Sequence, residues 1–147
     1  MLGRYFVRAA REHRRLMDGN LRRKGLNAPQ IHVLGYLDRK TERGEVCTQT
    51  DVRCECSNTR SSSVTSLLQT LERAGYIRRE TGKDAREKQV FLTDAGLKLA
   101  RECKDFVDRV DEAITEGFSE EEKNVFCDLL RRAGDNLHAF GEKERLS

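Results

Sequence analysis

Along the first two dozen residues the apolar positions recur at intervals of three and four: Tyr5 and Phe6, Ala9 and Ala10, Leu16 and Met17, then Leu21, with His13 on the same stripe. That spacing predicts an amphipathic helix whose opposite face is rich in arginine. Gly25 is expected to end it as a left-handed cap. A second helix is predicted to open at Ala28-Pro29, with the proline in its first turn, and to carry Ile31, Leu34, Tyr36 and Leu37 to about Arg39. The polar run that follows, 40–45, reads as a loop.

Thr48 and Asp51 have the spacing of a capping box and predict a short helix through about Cys56. Ser57-Asn58-Thr59 reads as a turn. Val64, Leu67, Leu68 and Leu71 then form one stripe of a helix over 61–74, which Gly75 terminates. Tyr76-Ile77 leads into a strand to about Glu80. Gly82-Lys83-Asp84-Ala85-Arg86 is the expected hairpin tip, and Lys88 to Leu92 the return strand. Thr93 caps a long helix bearing Leu99, Cys103, Phe106, Val110 and Ile114. Gly117 breaks the chain, and a second capping box, Ser119 with Glu122, opens a last helix with Phe126, Leu129, Leu130, Ala133, Leu137 and Phe140.

The predicted fold is mostly α, of the α+β kind: a helix-turn-helix followed by a two-stranded β-hairpin, flanked by N- and C-terminal helices. This order is that of a winged helix-turn-helix. No internal repeat interrupts it.

Composition fits one helix-rich domain. Of 147 residues, 36% are charged and 37% hydrophobic, with a single proline and no tryptophan. The net charge of +3 says little, but its distribution says more. Residues 1–24 hold eight Arg or Lys against Glu12 and Asp18, whereas 101–124 hold four against nine acids. Such asymmetry suits a nucleic-acid partner on one side of the molecule. No stretch approaches the roughly 18–20 apolar residues of a membrane span, and the opening residues lack the apolar run of a secretory signal. Five cysteines at irregular spacing argue against a disulfide framework, so reduced thiols and a cytoplasmic location are the expectation.

The second helix of a helix-turn-helix enters the major groove. At 100° per residue, Ser62, Thr65, Ser66, Gln69 and Arg73 fall opposite the apolar stripe. Short hydroxyls permit close approach to phosphates and base edges, and glutamine can pair with adenine. Arg60, beside the helix start, is placed for a phosphate. A solvated surface would explain the same positions, but such a helix would more usually carry Glu and Lys. At the hairpin tip, Lys83 and Arg86 can meet phosphates and the narrow minor groove. Asp84 would support the tip by accepting a hydrogen bond from Arg86 or the turn backbone.

The string from Thr48 to Gly96 resembles the MarR family of winged-helix transcriptional regulators. Its matching elements are Thr48-Gln49 with Asp51, Val64-Thr65, Leu67-Leu68, Leu71-Glu72, Gly75 with Ile77, Arg79, the Asp84-x-Arg86 wing, and Val90-x-Leu92-Thr93 with Gly96. The resemblance implies an obligate homodimer. Residues 1–27 and 94–147 would form the helical dimerisation region, and 28–93 the DNA-binding domain. It further implies that Arg86 reaches the minor groove while 62–69 read the major groove of a pseudo-palindromic operator, with half-sites about 10 bp apart. A repressor released by a small-molecule effector, or by thiol oxidation, would follow. The segment 52–59 departs from the family pattern, with a charged residue and two thiols and about one extra residue.

Cys54-x-Cys56 admits three readings: buried free thiols, oxidant sensing, or a metal site. On a helix the two point about 200° apart, so a shared metal would need further ligands. His13, His32 and His138 show no catalytic spacing, and there is no glycine-rich phosphate loop. No enzyme, cofactor or metal centre is expected. The rival to a DNA-binding regulator is a winged-helix protein-interaction module.

Overall fold

Among the described residues, eight elements follow the predicted order and one is added. The computed structural model describes residues 1–56, 61–83 and 86–146, without the side chains of Ser61 and Ser62. The helices are α1 (Leu2–Arg23), α2 (Ala28–Glu42), α3 (Gln49–Glu55), α4 (Ser61–Arg73), α5 (Asp94–Ile114) and α6 (Glu120–Arg145). The strands are β1 (Cys47–Thr48), β2 (Ile77–Thr81) and β3 (Lys88–Leu92). The addition is β1, which makes the wing a three-stranded antiparallel sheet ordered β1-β3-β2. Cys47 pairs with Val90 and Thr48 with Gln89, while β2 and β3 run in register from Ile77↔Leu92 to Thr81↔Lys88. Helix α2 runs to Glu42, beyond the expected Arg39, because its carbonyls continue to be met by the N–H groups of Arg43, Gly44 and Glu45.

The caps explain the boundaries. Asn27 and Gln30 form a reciprocal box at α2, Thr48 and Asp51 at α3, and Ser119 and Glu122 at α6. Each satisfies N–H groups that a helix start leaves without partners. Two compact units result, Met1–Asp108 and Arg109–Ser147. In the first, Val33, Leu34 and Leu37 of α2 pack with Val52, Val64, Leu68, Leu71, Ile77 and Val90, and with Leu99, Ala100 and Cys103 of α5. Leu21 brings the end of α1 onto this core, and Lys24 Nζ reaches Glu102 of α5 at 2.9 Å. Asp38 is buried on α2 among these apolar neighbours in sequence, and its Oδ1 has no hydrogen-bond partner among the described residues.

The second unit contains the end of α5, a turn through Gly117 at φ +83°, and α6. Phe118 and Phe126 meet edge to face at 5.6 Å. None of the residues of α6 is buried; Leu129, Leu130, Leu137 and Phe140 are all exposed.

One junction fixes where α4, the wing and α5 meet. Gly75 takes φ +82°, a conformation favoured by glycine, and lets the chain reverse so that the Tyr76 N–H bonds Leu71 O at 3.0 Å. On return from the wing, the Thr93 N–H bonds Tyr76 O at 3.1 Å, and its hydroxyl donates to Gly75 O at 2.6 Å. The same hydroxyl accepts from the Gly96 N–H at 3.1 Å and so caps α5. A Cβ on Gly96 would stand 1.9 Å from Tyr76 O, which is backbone and cannot step aside. Gly96→Ala is therefore expected to lower unfolding free energy by about 2–4 kcal/mol, through displacement of α5 from the wing base. Urea denaturation followed by circular dichroism measures this, and a loss within about 0.5 kcal/mol of wild type would contradict the close approach.

Candidate nucleic-acid interface

Helix α4 turns Val64, Leu68 and Leu71 into the core, and Leu67 packs partly buried against it. This orientation leaves Ser63, Ser66, Gln69, Thr70 and Arg73 exposed along the outer face, with Thr65 half-buried at its flank. Of the residues expected to contact a duplex, Ser66, Gln69 and Arg73 are thus on one open face. The Ser62 side chain and Arg60 lie outside the described residues. Thr70 was not anticipated there; its hydroxyl bonds Ser66 O at 3.0 Å, which leaves its methyl for an outward apolar contact. A groove of about 420 Å³ runs beside this face, lined by Asn27, Pro29 and Gln30 of the α2 start and by Ser63, Ser66, Leu67 and Thr70.

The wing is held against α4 by one ion pair. Glu72 accepts from Arg79 Nε at 3.0 Å, from Nη2 at 2.5 Å, and from the Arg79 backbone N–H at 3.2 Å. Both Glu72 oxygens are engaged, and the guanidinium is almost fully enclosed, so α4 and β2 are tied together. Across the sheet, the Arg78 guanidinium lies 4.4 Å from the centre of the Phe91 ring and pairs with Glu80. The Gly82 N–H bonds Glu87 O at 3.2 Å and closes the hairpin. Lys83 and Arg86 are exposed on the tip, as the sequence suggests; Asp84 lies outside the described residues.

Between the wing root and α3 the structure opens a cleft of about 540 Å³ lined by Gln49, Thr50, Arg53, Arg79, Arg86, Glu87 and Lys88. Four cations face one carboxylate. The Thr50 and Thr48 hydroxyls hold the Glu87 carboxyl below the ordinary carboxylate range, and its Oε1 is buried without a hydrogen-bond partner. Gln49, Thr50, Arg53 and Lys88 were absent from the sequence-derived set. Their signal was weak, because Arg53 reads as an ordinary surface charge until β1 brings α3 alongside β3.

The MarR family model matches residues 24–87, from the end of α1 to the hairpin just short of β3. Over that segment, which is less than half of the chain, the protein is similar to the MarR family. The HTH-type transcriptional regulator YwoH of Bacillus subtilis is 32% identical over 74 residues, covering 50% of this chain and 54% of YwoH. YwaE of the same organism is 26% identical over 85 residues, covering 57% of this chain and 50% of YwaE. The chain therefore spans about half the length of these curated relatives. Among solved structures, S. aureus MepR bound to ethidium bromide superposes with a TM-score of 0.74 at 26% identity, covering 93% of this chain and 96% of MepR. A MepR variant bound to an oligodeoxyribonucleotide gives 0.69 at 26% identity, covering 93% and 98%.

The thiols divide by environment. Burial pushes the Cys47 thiol up to about 11, and burial likewise raises Cys103. Burial and the neighbouring Glu55 raise Cys56. Cys54, two residues away, is exposed, as is Cys127. Because the thiolate is the reactive form, native protein treated with iodoacetamide near neutral pH is expected to be modified at Cys54 and Cys127, and at Cys47 and Cys103 only after unfolding. Peptide mass spectrometry reads the outcome; fast native labelling of Cys47 would refute the burial.

The pair that mounts the wing also carries a pH dependence. Hydrogen bonds from Arg79 hold the Glu72 carboxyl below its ordinary value. A lowered carboxylate adds stability in full above the unfolded value and loses it as pH falls through the folded one. Glu72→Gln is expected to cost about 1 kcal/mol at neutral pH, since the carboxylate is partly exposed, and nearly nothing near pH 3. Glu45, Glu87 and Glu102 are lowered too and keep titrating in the variant. The melting-temperature gap between variant and wild type should therefore narrow on acidification. A gap independent of pH would mean that Glu72 acts by packing alone.

Proposed function

We propose that the chain is a sequence-specific double-stranded-DNA-binding transcriptional regulator and not an enzyme. The observation that carries this reading is the outward face of α4, with Ser66, Gln69 and Arg73 exposed, pinned by Glu72–Arg79 to a wing whose tip bears Lys83 and Arg86. Small hydroxyls and an amide on the helix suit base edges, and the cationic wing suits phosphates and the minor groove. The oligodeoxyribonucleotide bound to the MepR variant supports the same assignment. In the DNA complex, Arg53 and Lys88 would add backbone contacts beside the helix.

The protein acts as a homodimer on a pseudo-palindromic operator. Support comes from apolar residues that one chain leaves open: Leu2, Tyr5, Phe6 and Leu16 on α1, and Leu129, Leu130, Leu137 and Phe140 on α6. In this reading 1–27 and 94–147 are the dimerisation region and 28–93 the DNA-binding domain. The protein represses and is released by a small ligand, a mode supported by the ethidium bromide bound to MepR. Thiol oxidation at Cys54 and Cys56 is the weaker trigger, because burial and the neighbouring Glu55 disfavour the Cys56 thiolate.

Fluorescence anisotropy with DNA from upstream of the gene tests the proposal. Log affinity should fall linearly with log salt. Arg86→Ala should weaken binding by about tenfold or more and reduce the salt slope by about one, whereas Gln69→Ala should lower discrimination between sites with little change of slope. Salt-independent association, or full binding by Arg86→Ala, would favour a protein-interaction module instead.

A further inference from the structure

The cleft between α3 and the wing root is built for more than a passing strand of DNA. Its volume of about 540 Å³ far exceeds that of one phosphate group. Arg79 is stiffened by Glu72 through Nε and Nη2, and that pair leaves Nη1 over. Arg53 and Lys88 form no ion pair among the described residues, and Arg86 lines the same space. These groups converge on an oxyanion, and a planar guanidinium with an exposed ammonium suits phosphate. The Gln49 amide adds neutral donors.

Glu87 sits on the same wall and is anomalous in a phosphate site. Its carboxyl is held below the ordinary range by hydrogen bonds from Thr50 and Thr48, yet Oε1 is buried without a hydrogen-bond partner among the described residues. A buried carboxylate oxygen without a donor costs stability, unless a ligand supplies the donor. Inorganic phosphate near neutral pH carries P–OH donors, but turning one toward Glu87 brings the phosphate's own charge against the carboxylate. A phosphate ester that carries hydroxyl groups satisfies both ends of the cleft.

We propose that this cleft binds a small hydroxyl-bearing phosphate ester, with Arg53, Arg79, Arg86 and Lys88 taking the phosphate and Glu87 Oε1 accepting a hydrogen bond from a ligand hydroxyl. Under the DNA-binding function proposed above, on which this step rests, the ester and the operator backbone share cations, so the bound ester weakens operator binding.

The test titrates the free, full-length protein at constant ionic strength with ribose 5-phosphate, inorganic phosphate or ribose, followed by calorimetry and amide chemical shifts. Ribose 5-phosphate should bind at least about tenfold tighter than inorganic phosphate, and ribose should not bind. Arg53→Gln should weaken both phosphates by about tenfold or more. Glu87→Ala, checked for folding by circular dichroism, should bring the ratio of the two phosphates to about one. Absence of ribose 5-phosphate binding at about 10 mM, an unchanged titration in Arg53→Gln, or equal affinity of the two phosphates for wild type would each overturn the site. Because the titration contains no DNA, it reads independently of the operator assay. A protein that binds DNA but not ribose 5-phosphate loses this inference alone, and one that binds the ester but not DNA loses the regulatory function alone.

Discussion

The approach of Gly96 to the Tyr76 carbonyl is the constraint on which the winged half of the molecule depends. Four backbone segments converge there: the end of α4, the start of β2, the end of β3 and the start of α5. A hairpin leaves the core and returns to it at the same place, so the tip can be long, charged and open to solvent while its base stays fixed. The Thr93 hydroxyl donates to one segment and accepts from another. A serine could reproduce those bonds, but a valine of the same shape could not. Any side chain at Gly96 would drive the two layers apart.

With the base fixed, Glu72–Arg79 decides the tilt of the wing. A charged pair of this kind often adds little net stability, because both partners give up water. Its value lies in geometry: a fork of N–H groups meets a carboxylate in few orientations, whereas an apolar contact would allow sliding. The outer face of α4 and strand β2 are thereby held at one separation, which is what the proposed engagement of a groove and its flanking backbone requires.

Much of this was legible from residue order alone. Periodicity located the helices because their apolar residues recur every three or four positions, buried in α4 and exposed in α6, and capping residues located helix starts because N–H groups at helix ends need partners. The return strand Lys88–Leu92 was read to the residue, since the apolar run Val90-Phe91-Leu92 lies between a charged tip and the Thr93 cap. Strand β1 was not legible. Two residues are too few to show alternation, and their pairing with Val90 and Gln89 is set by contacts some forty residues away in sequence. Asp38 was equally opaque, because a carboxylate following Leu37 reads as the start of a solvated face. The cleft was missed for the same reason as β1. Arg53 and Lys88 become neighbours only after the sheet forms, whereas Ser66, Gln69 and Arg73 share one helix and could be grouped by angle.

Strand β1 runs without a break into α3, and its partner β3 is the central strand of the sheet. The first helix of the helix-turn-helix is therefore joined to the wing by ladder hydrogen bonds as well as by side chains. In terms of local opening, α3 is not a separate unit that frays on its own. Its N-terminal amides and those of the central strand belong to one cooperative segment, and slow hydrogen exchange at one should be accompanied by slow exchange at the other. A disturbance at the wing root is felt in the helix that precedes the recognition helix, along a path of backbone rather than of side chains.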